Sequence, residues 1–166
     1  MIVVGCQSVT EGTASVDGGQ AQQYRASVEA SVEASSSRSS ARESERQASI
    51  TAQAVHKACD ELSVTSVNAV DAVNAFVYAY NDNAGDVGAK VEPAKTALNG
   101  SADRVTAAIS DPLSDDLVAA MNAWVDAARN VASLVSPDLD MDPFNAAINR
   151  LNDTKTRALQ LCDAAY

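Results

Sequence analysis

The thiols and the single imidazole are the residues of this 166-residue chain whose types and spacing could support reactive chemistry. His56 lies three residues before Cys59, so on a helix its imidazole could orient a thiolate or bind a metal. His56 is the only histidine and no other ligand lies near it in sequence, so a zinc or haem site has little support. The sequence favours a bystander role for His56.

A short acidic run offers a second possible metal site. Asp138, Asp140 and Asp142 have the 1-3-5 spacing of carboxylates that begins an EF-hand calcium loop. Pro143 stands at the position of the turn glycine, and Asn149 stands at that of the bidentate glutamate. The match fails at both positions, so we interpret the acids as caps and loop residues, and we predict no metal and no cofactor.

Catalytic patterns are weak elsewhere in the chain. Serines are plentiful, but none has the sharp turn and adjacent base that Ser-His-Asp catalysis requires. Gly85 and Gly88 come nearest to a phosphate-binding loop, and they lack a following Lys-Ser/Thr pair or a third glycine. The sequence therefore favours a protein that is not an enzyme.

The amino-terminal residues Val3-Val4-Gly5-Cys6-Gln7 resemble the lipobox of bacterial lipoproteins. In that family the signal peptide is cut just before the cysteine, whose thiol carries diacylglycerol. The resemblance implies that Cys6 becomes the first residue and anchors the protein to a membrane. Only Met1-Ile2-Val3-Val4 precede Gly5-Cys6, fewer than the roughly 7–15 apolar residues of a secretory signal, so we expect a longer leader. If Met1 is the true start, the protein is instead cytosolic.

Composition and charge restrict the partners. A formal charge of −10 disfavours nucleic acid, whose phosphates would repel the chain, and it disfavours an anionic lipid surface. No apolar run approaches the roughly 20 residues of a membrane-spanning helix. Hydrophobic residues make up 46% but aromatic residues only 4%, which indicates an alanine-rich helical protein. The bias toward alanine, valine and aspartate resembles actinobacterial lipoproteins, which implies the outer face of the cell membrane.

Three segments divide the chain: 1–6 as the end of a signal peptide and lipobox, 7–47 as a polar tether, and 48–166 as a helical domain. Residues 7–23 are small and polar, as in a flexible linker. Residues 24–47 are rich in Ser, Ala and Glu, with too little apolar surface to bury. This composition favours a solvated spacer that is disordered or loosely helical. The alternative is a polar helix that extends the first bundle helix, with possible starts at Ser40 and Ser44.

Helical periodicity begins at Ala48 and defines four segments. The first reaches Tyr80, and the second runs from about Val87 to Ser110, with a kink or break expected near Gly100 and a new cap at Ser101. Ser114 is expected to cap the third, and Asp142 the fourth. Short connections make neighbours antiparallel, so the predicted fold is an all-α, antiparallel up-down-up-down four-helix bundle preceded by the tether.

The predicted bundle brings Cys59 and Cys162 close together. With Phe144 opposite Tyr80, 18 residues of helix, roughly 27 Å, bring Cys162 opposite Leu62, one turn from Cys59. In an exported chain whose Cys6 is acylated, these two thiols remain as a pair, and oxidising compartments favour a disulfide. The alternative is a pair of free buried thiols, which suits the cytosolic interpretation.

The same topology gathers acids at the end of the bundle distant from the tether: Asp82, Asp86, Asp138, Asp140 and Asp142. Such an acidic tip could contact a basic partner, although a solvated charged end is the simpler interpretation. Trp124 lies on an apolar stripe and is expected in the core, whereas Tyr78 is expected to be exposed and could mark a contact site.

Two functional hypotheses follow. The first is a non-catalytic envelope lipoprotein, anchored through diacylglycerol on Cys6, that acts as an accessory or scaffold subunit for a protein partner in a membrane or wall assembly. The second is a small-molecule or lipid carrier with a cavity between its helices. A pocket of several hundred Å³ lined by Trp124, Phe76 and Phe144 would favour the carrier.

Overall fold

A computed structural model describes residues 18–82 and 85–165. Four helices account for almost all of these residues: α1 (Gly18–Asn81), α2 (Val87–Ala108), α3 (Asp115–Leu134) and α4 (Met141–Ala165). The chain forms two compact units, residues 1–45 and residues 46–166. Of the first unit, the structure describes residues 18–45, which are helical and almost entirely exposed. The second unit contains the hydrophobic core.

The second unit is an antiparallel four-helix bundle, as the sequence predicts. Helices α1 and α2 are antiparallel. Glu61 contacts Arg104, whereas Thr65, which comes after Glu61 in the chain, contacts Ser101, which comes before Arg104. The same holds for α1 and α4. Cys59 meets Cys162 near one end of this pair, and Phe76 meets Phe144 near the other. Short connections between successive helices therefore produce the expected up-down-up-down order.

Helix α1 is longer than the bundle requires. Residues 24–47, for which the sequence leaves open a solvated spacer or a polar helix, are helical, and α1 begins at Gly18. Ser40 and Ser44 are therefore interior residues of α1 and start no new helix. The β-branched and hydroxyl residues around Thr65 remain helical. The buried Thr65 hydroxyl is satisfied within α1, because its Oγ1 donates to the Glu61 carbonyl over 2.6 Å.

Helix α2 corrects the expectation of a break near Gly100. It continues from Val87 to Ala108 through Pro93, Gly100 and Ser101. Ser101 is buried and donates its hydroxyl hydrogen to the Thr65 carbonyl of α1 over 2.8 Å, so it binds a neighbouring helix and caps nothing. Tertiary packing thus outweighs the low intrinsic helix propensity of this stretch.

Caps define the remaining helices. Ser114 caps α3, since its side chain accepts a hydrogen bond from the Leu117 amide, and two aspartates follow in the first turn. Helix α4 begins two residues earlier than predicted. Asp140, rather than Asp142, stands before its first residue, and Asp140 Oδ1 accepts from the Asp142 amide over 3.2 Å. Pro143 then lies in the first turn, where its missing N–H leaves no helical bond unmade.

The core is built from the predicted apolar stripes. Its largest fully buried side chains are Trp124, Phe76, Leu62, Leu98, Leu117 and Met121. Alanines occupy many other buried positions, such as Ala58, Ala94 and Ala128. These small residues allow the helices to approach closely, so the bundle needs few aromatic side chains to fill its interior.

Candidate functional site

The structure joins Cys59 of α1 to Cys162 of α4. The two Sγ atoms are 2.08 Å apart and the two Cα atoms 5.8 Å apart, which is the geometry of a disulfide. Both residues are buried, at 4% and 2% exposure. The disulfide closes a sequence separation of 103 residues and ties the last turns of the chain to the first helix of the bundle. Its burial indicates a structural crosslink rather than an accessible redox group.

His56 lies one turn from Cys59 but faces solvent. The exposed imidazole and the buried sulfur therefore occupy different environments. Among residues 18–82 and 85–165, no group of three or more His, Cys, Asp or Glu side chains is arranged to hold a metal ion. The acidic run after Pro137 thus has no assembled metal site in the part of the chain that is described.

A contact between the end of α1 and the segment before α4 partly assembles the predicted acidic tip. The Tyr80 hydroxyl donates to the Leu139 carbonyl over 3.1 Å, so the end of α1 lies beside the segment that leads into α4. Asp82, Asp86, Asp138, Asp140 and Asp142 are all exposed. Two of them have local roles: Asp86 lies 3.8 Å from Lys90, and Asp140 binds the Asp142 amide. These contacts account for part of the cluster without a partner.

The aromatic residues separate into buried and exposed groups. Trp124, Phe76 and Phe144 are at most 2% exposed, and the rings of Phe76 and Phe144 pack edge to face with centroids 6.3 Å apart. Trp124 Nε1 is buried without a hydrogen-bond partner. Tyr78, in contrast, is 69% exposed. The three residues whose exposure to a cavity would have favoured a carrier thus belong to the packed core.

Polar contacts between α1 and α2 were missed by sequence reasoning. Arg104 Nη2 lies 2.8 Å from Glu61 Oε2, which is a buried oxygen. The contact is an ion pair whose N–H is not aligned for a hydrogen bond. The two side chains are 55% and 29% exposed, so the pair contributes no more than about 1 kcal/mol. Together with the hydrogen bond of the Ser101 hydroxyl, this ion pair shows the register of the two helices.

A small groove between α1 and α4 was also missed. It contains a pit of about 90 Å³ lined by Val70, Val73, Ile148 and Leu151. The carboxamides of Asn74 and Asn152 stand at its edge, one from each helix. Sequence periodicity places all four aliphatic residues on the apolar stripes of their helices. The signal that could have drawn attention to the groove is the recurrence of asparagine along the outer side of α4.

Cys6 and the other residues from 1 to 17 lie outside the described residues, so the lipobox resemblance stays a prediction. None of the helices in residues 18–82 and 85–165 combines the length and the apolar character needed to cross a bilayer.

Comparison with known proteins identifies the family. The model of a family described as the Rv2240c four-helix bundle domain matches residues 41–163, about three-quarters of the sequence. The chain belongs to this family. A relative from Mycobacterium tuberculosis (strain CDC 1551 / Oshkosh), named uncharacterized protein MT2300, is 48% identical over 168 residues. That alignment covers 100% of this chain and 84% of the relative. No solved structure matches the chain.

The family assignment agrees with the four-helix bundle that α1, α2, α3 and α4 form in the structure. The relative comes from an actinobacterium, the bacterial group whose lipoproteins the composition resembles. Because the matched region starts at residue 41, the family domain includes the bundle and only the last part of the predicted tether.

Proposed function

We propose that this protein is a non-catalytic cell-envelope lipoprotein that serves as an accessory or scaffold subunit of a larger membrane or wall assembly. Diacylglycerol on Cys6 anchors it to the outer face of the cell membrane. Residues 7–47 separate the anchor from the bundle, and the bundle carries the contact surface for a protein partner. Diacylation supplies two acyl chains, which is about what stable anchoring requires.

The Cys59–Cys162 disulfide is the observation that carries this proposal. Disulfides persist in oxidising compartments and are rare in the cytosol. A buried disulfide in the bundle therefore favours an exported protein, and export is what the lipobox resemblance at Val3–Gln7 implies. The two observations come from opposite parts of the chain and support the same compartment.

Packing favours a contact role over a carrier. Ligand pockets for small molecules usually have volumes of about 300–1,000 Å³. The pit between α1 and α4 has about 90 Å³, and the larger hollows, of about 230–570 Å³, are open to solvent. Trp124, Phe76 and Phe144, which could have lined an enclosed cavity, are buried in the core. Exposed apolar side chains such as Val67 and Tyr78, at 52% and 69% exposure, instead provide surface for a partner.

The proposal is tested by extracting the protein from its native membranes in mild detergent through a carboxy-terminal tag. Mass spectrometry then identifies what is recovered with it, and a Cys6→Ala variant expressed at the same level serves as the control. We expect a stoichiometric membrane or wall protein that is lost with Cys6→Ala. Recovery of the wild-type protein alone, or with only a lipid, would favour the carrier hypothesis instead.

A further inference from the structure

We propose that the α1–α4 groove binds an extended peptide segment of the partner and takes one aliphatic side chain of that segment into its pit. We define the α1–α4 groove as the pit lined by Val70, Val73, Ile148 and Leu151 together with the exposed residues on its two walls. This inference rests on the proposed function, in which the bundle contacts a protein, and it specifies the surface and the chemistry of that contact.

The floor of the groove sets the size of the group that it can accept. A volume of about 90 Å³ equals the share of about three water molecules in the liquid. One branched aliphatic side chain has a similar size. All four lining residues in the floor are aliphatic, so the pit favours an apolar group. A lipid chain or a larger ligand would not fit within this volume.

The α4 wall is a row of carboxamides. Asn145, Asn149 and Asn152 lie at spacings of four and three residues, and Thr156 continues the same row, so they form one ridge along the helix. All four residues are exposed. Among the residues that the structure describes, no hydrogen bond holds the three asparagine side chains. Their amide groups are therefore available to a ligand.

The α1 wall has the same spacing with a different chemistry. Val67, Asp71, Asn74 and Tyr78 form its ridge, and Asn74 shares the edge of the pit with Asn152. Val67 and Tyr78 are among the exposed large hydrophobic residues of the protein. They lie on either side of Asn74, so the groove combines an apolar pit, flanking apolar contacts and amides at the centre.

Asparagine is an unusual choice for these positions. It is among the poorer helix formers, because its side chain competes with the backbone for hydrogen bonds. Exposed helical positions are better served by Glu, Lys, Gln or Ala. Three asparagines on one ridge of α4 therefore weaken the helix locally. Residues that work against the local structure are expected where function requires them.

An extended peptide matches the amides better than the other candidate ligands do. Each carboxamide can donate and accept hydrogen bonds, which is what the unpaired N–H and C=O groups of an extended chain require. A helical partner satisfies its own backbone groups and would leave the asparagines unpaired. A glycan also offers donors and acceptors and could stack on Tyr78, but a sugar ring is too large for the pit of about 90 Å³ at Val73 and Leu151.

The length and charge of the α1 wall indicate how long the bound peptide segment is and which charge it carries. From Val67 to Tyr78 the helix rises about 16 Å, which five residues of extended chain would span at about 3.3 Å each. Asp71 is exposed between Val67 and Asn74. A basic side chain in the partner, next to the aliphatic one, would complement this carboxylate.

The test uses the full chain and two pools of acetylated, amidated heptapeptides. One pool has leucine at the central position and the other has aspartate, with the remaining positions randomised and cysteine omitted. We expect the leucine pool to bind with a dissociation constant below 1 mM and to shift the side-chain amide NMR signals of Asn74, Asn149 and Asn152. The aspartate pool should bind at least tenfold more weakly.

Matched variants separate the groove from the remainder of the surface. The double variant Asn149→Ala/Asn152→Ala removes two exposed amides of α4 and should lower the affinity for the leucine pool at least tenfold. The control, Asn122→Ala/Asn130→Ala, removes two exposed amides of α3 and should change that affinity less than twofold. Because alanine is the better helix former, both variants should unfold at or slightly above the wild-type midpoint, which is measured in parallel.

Three results would overturn the proposal. The first is that neither peptide pool binds, and the second is that Asn149→Ala/Asn152→Ala binds the leucine pool with the wild-type affinity. The third is that only a chitin oligosaccharide probe shifts the NMR signals. The last result would assign the groove to glycan recognition. The membrane extraction distinguishes this failure from a failure of the proposed function. A partner that is still recovered with Asn149→Ala/Asn152→Ala supports the accessory role and rejects the groove, whereas a wild-type protein recovered alone rejects the accessory role itself.

Discussion

Removing the Cys59–Cys162 disulfide should destabilise the bundle strongly. The bond closes a separation of 103 residues, and for such a loop the chain-entropy model gives a stabilisation of about 4.7 kcal/mol, exerted through the unfolded state. Measured effects are often smaller, so we expect the free energy of unfolding to fall by about 3–4 kcal/mol. For a bundle of this size, such a loss lowers Tm by about 10–20 °C.

Urea unfolding, followed by circular dichroism, measures this effect in three forms of the protein: oxidised, reduced, and Cys59→Ala/Cys162→Ala. The reduced wild type retains both buried sulfurs, so it isolates the crosslink from the loss of side-chain volume in the double variant. The urea m value should rise on reduction, because an uncrosslinked unfolded chain exposes more surface. A reduced protein within 1 kcal/mol of the oxidised one, with an unchanged m value, would refute the reasoning.

Three further substitutions test the packing of the bundle. Gly100→Ala should stabilise the protein by about 0.5–1 kcal/mol, because Gly100 is inside α2 and an added Cβ meets nothing within 4 Å; lower stability in a thermal melt would contradict this. Ser114→Ala should cost about 0.5–2 kcal/mol by removing the cap of α3, whereas Ser133→Ala, at an exposed position near the other end of α3, should cost less than about 0.5 kcal/mol. Trp124→Phe should cost less than about 2 kcal/mol, because the loss of volume is offset by removal of a buried N–H without a partner. A loss above about 3 kcal/mol on urea unfolding would show that this N–H is satisfied in solution.

The helices and their antiparallel order could be predicted from the sequence because apolar residues such as Leu62, Trp124 and Phe144 recur at the helical period. Local propensity failed at Gly100 and Ser101. A serine after a glycine resembles a new helix cap, and only the neighbouring α1 carbonyl of Thr65 explains why it lies inside α2. The start of α4 was shifted because two aspartates, at 140 and 142, are equally good caps by composition.

The candidate site was harder to predict than the fold. The pairing of Cys59 with Cys162 could be predicted from the sequence. Both residues lie on apolar stripes, and the helical rise gives the position of each along the axis of the bundle. The α1–α4 groove depends on finer geometry. Asn74 and Asn152 are far apart in sequence, and they reach the same pit only through the rotation of α1 and α4 about their axes. Periodicity gives the buried side of a helix but not the depth of a cavity beside it.

The anchor on Cys6 is the claim on which the proposed location and function depend most. Its most direct test is mass spectrometry of the amino-terminal peptide of the protein purified from its native membranes. We predict a peptide that begins at Cys6 and carries the mass of diacylglycerol. The whole protein should also enter the detergent phase when the membrane extract is separated into detergent and aqueous phases. A peptide that begins at Met1, or an unmodified Cys6 in a protein recovered from the soluble fraction, would contradict the account.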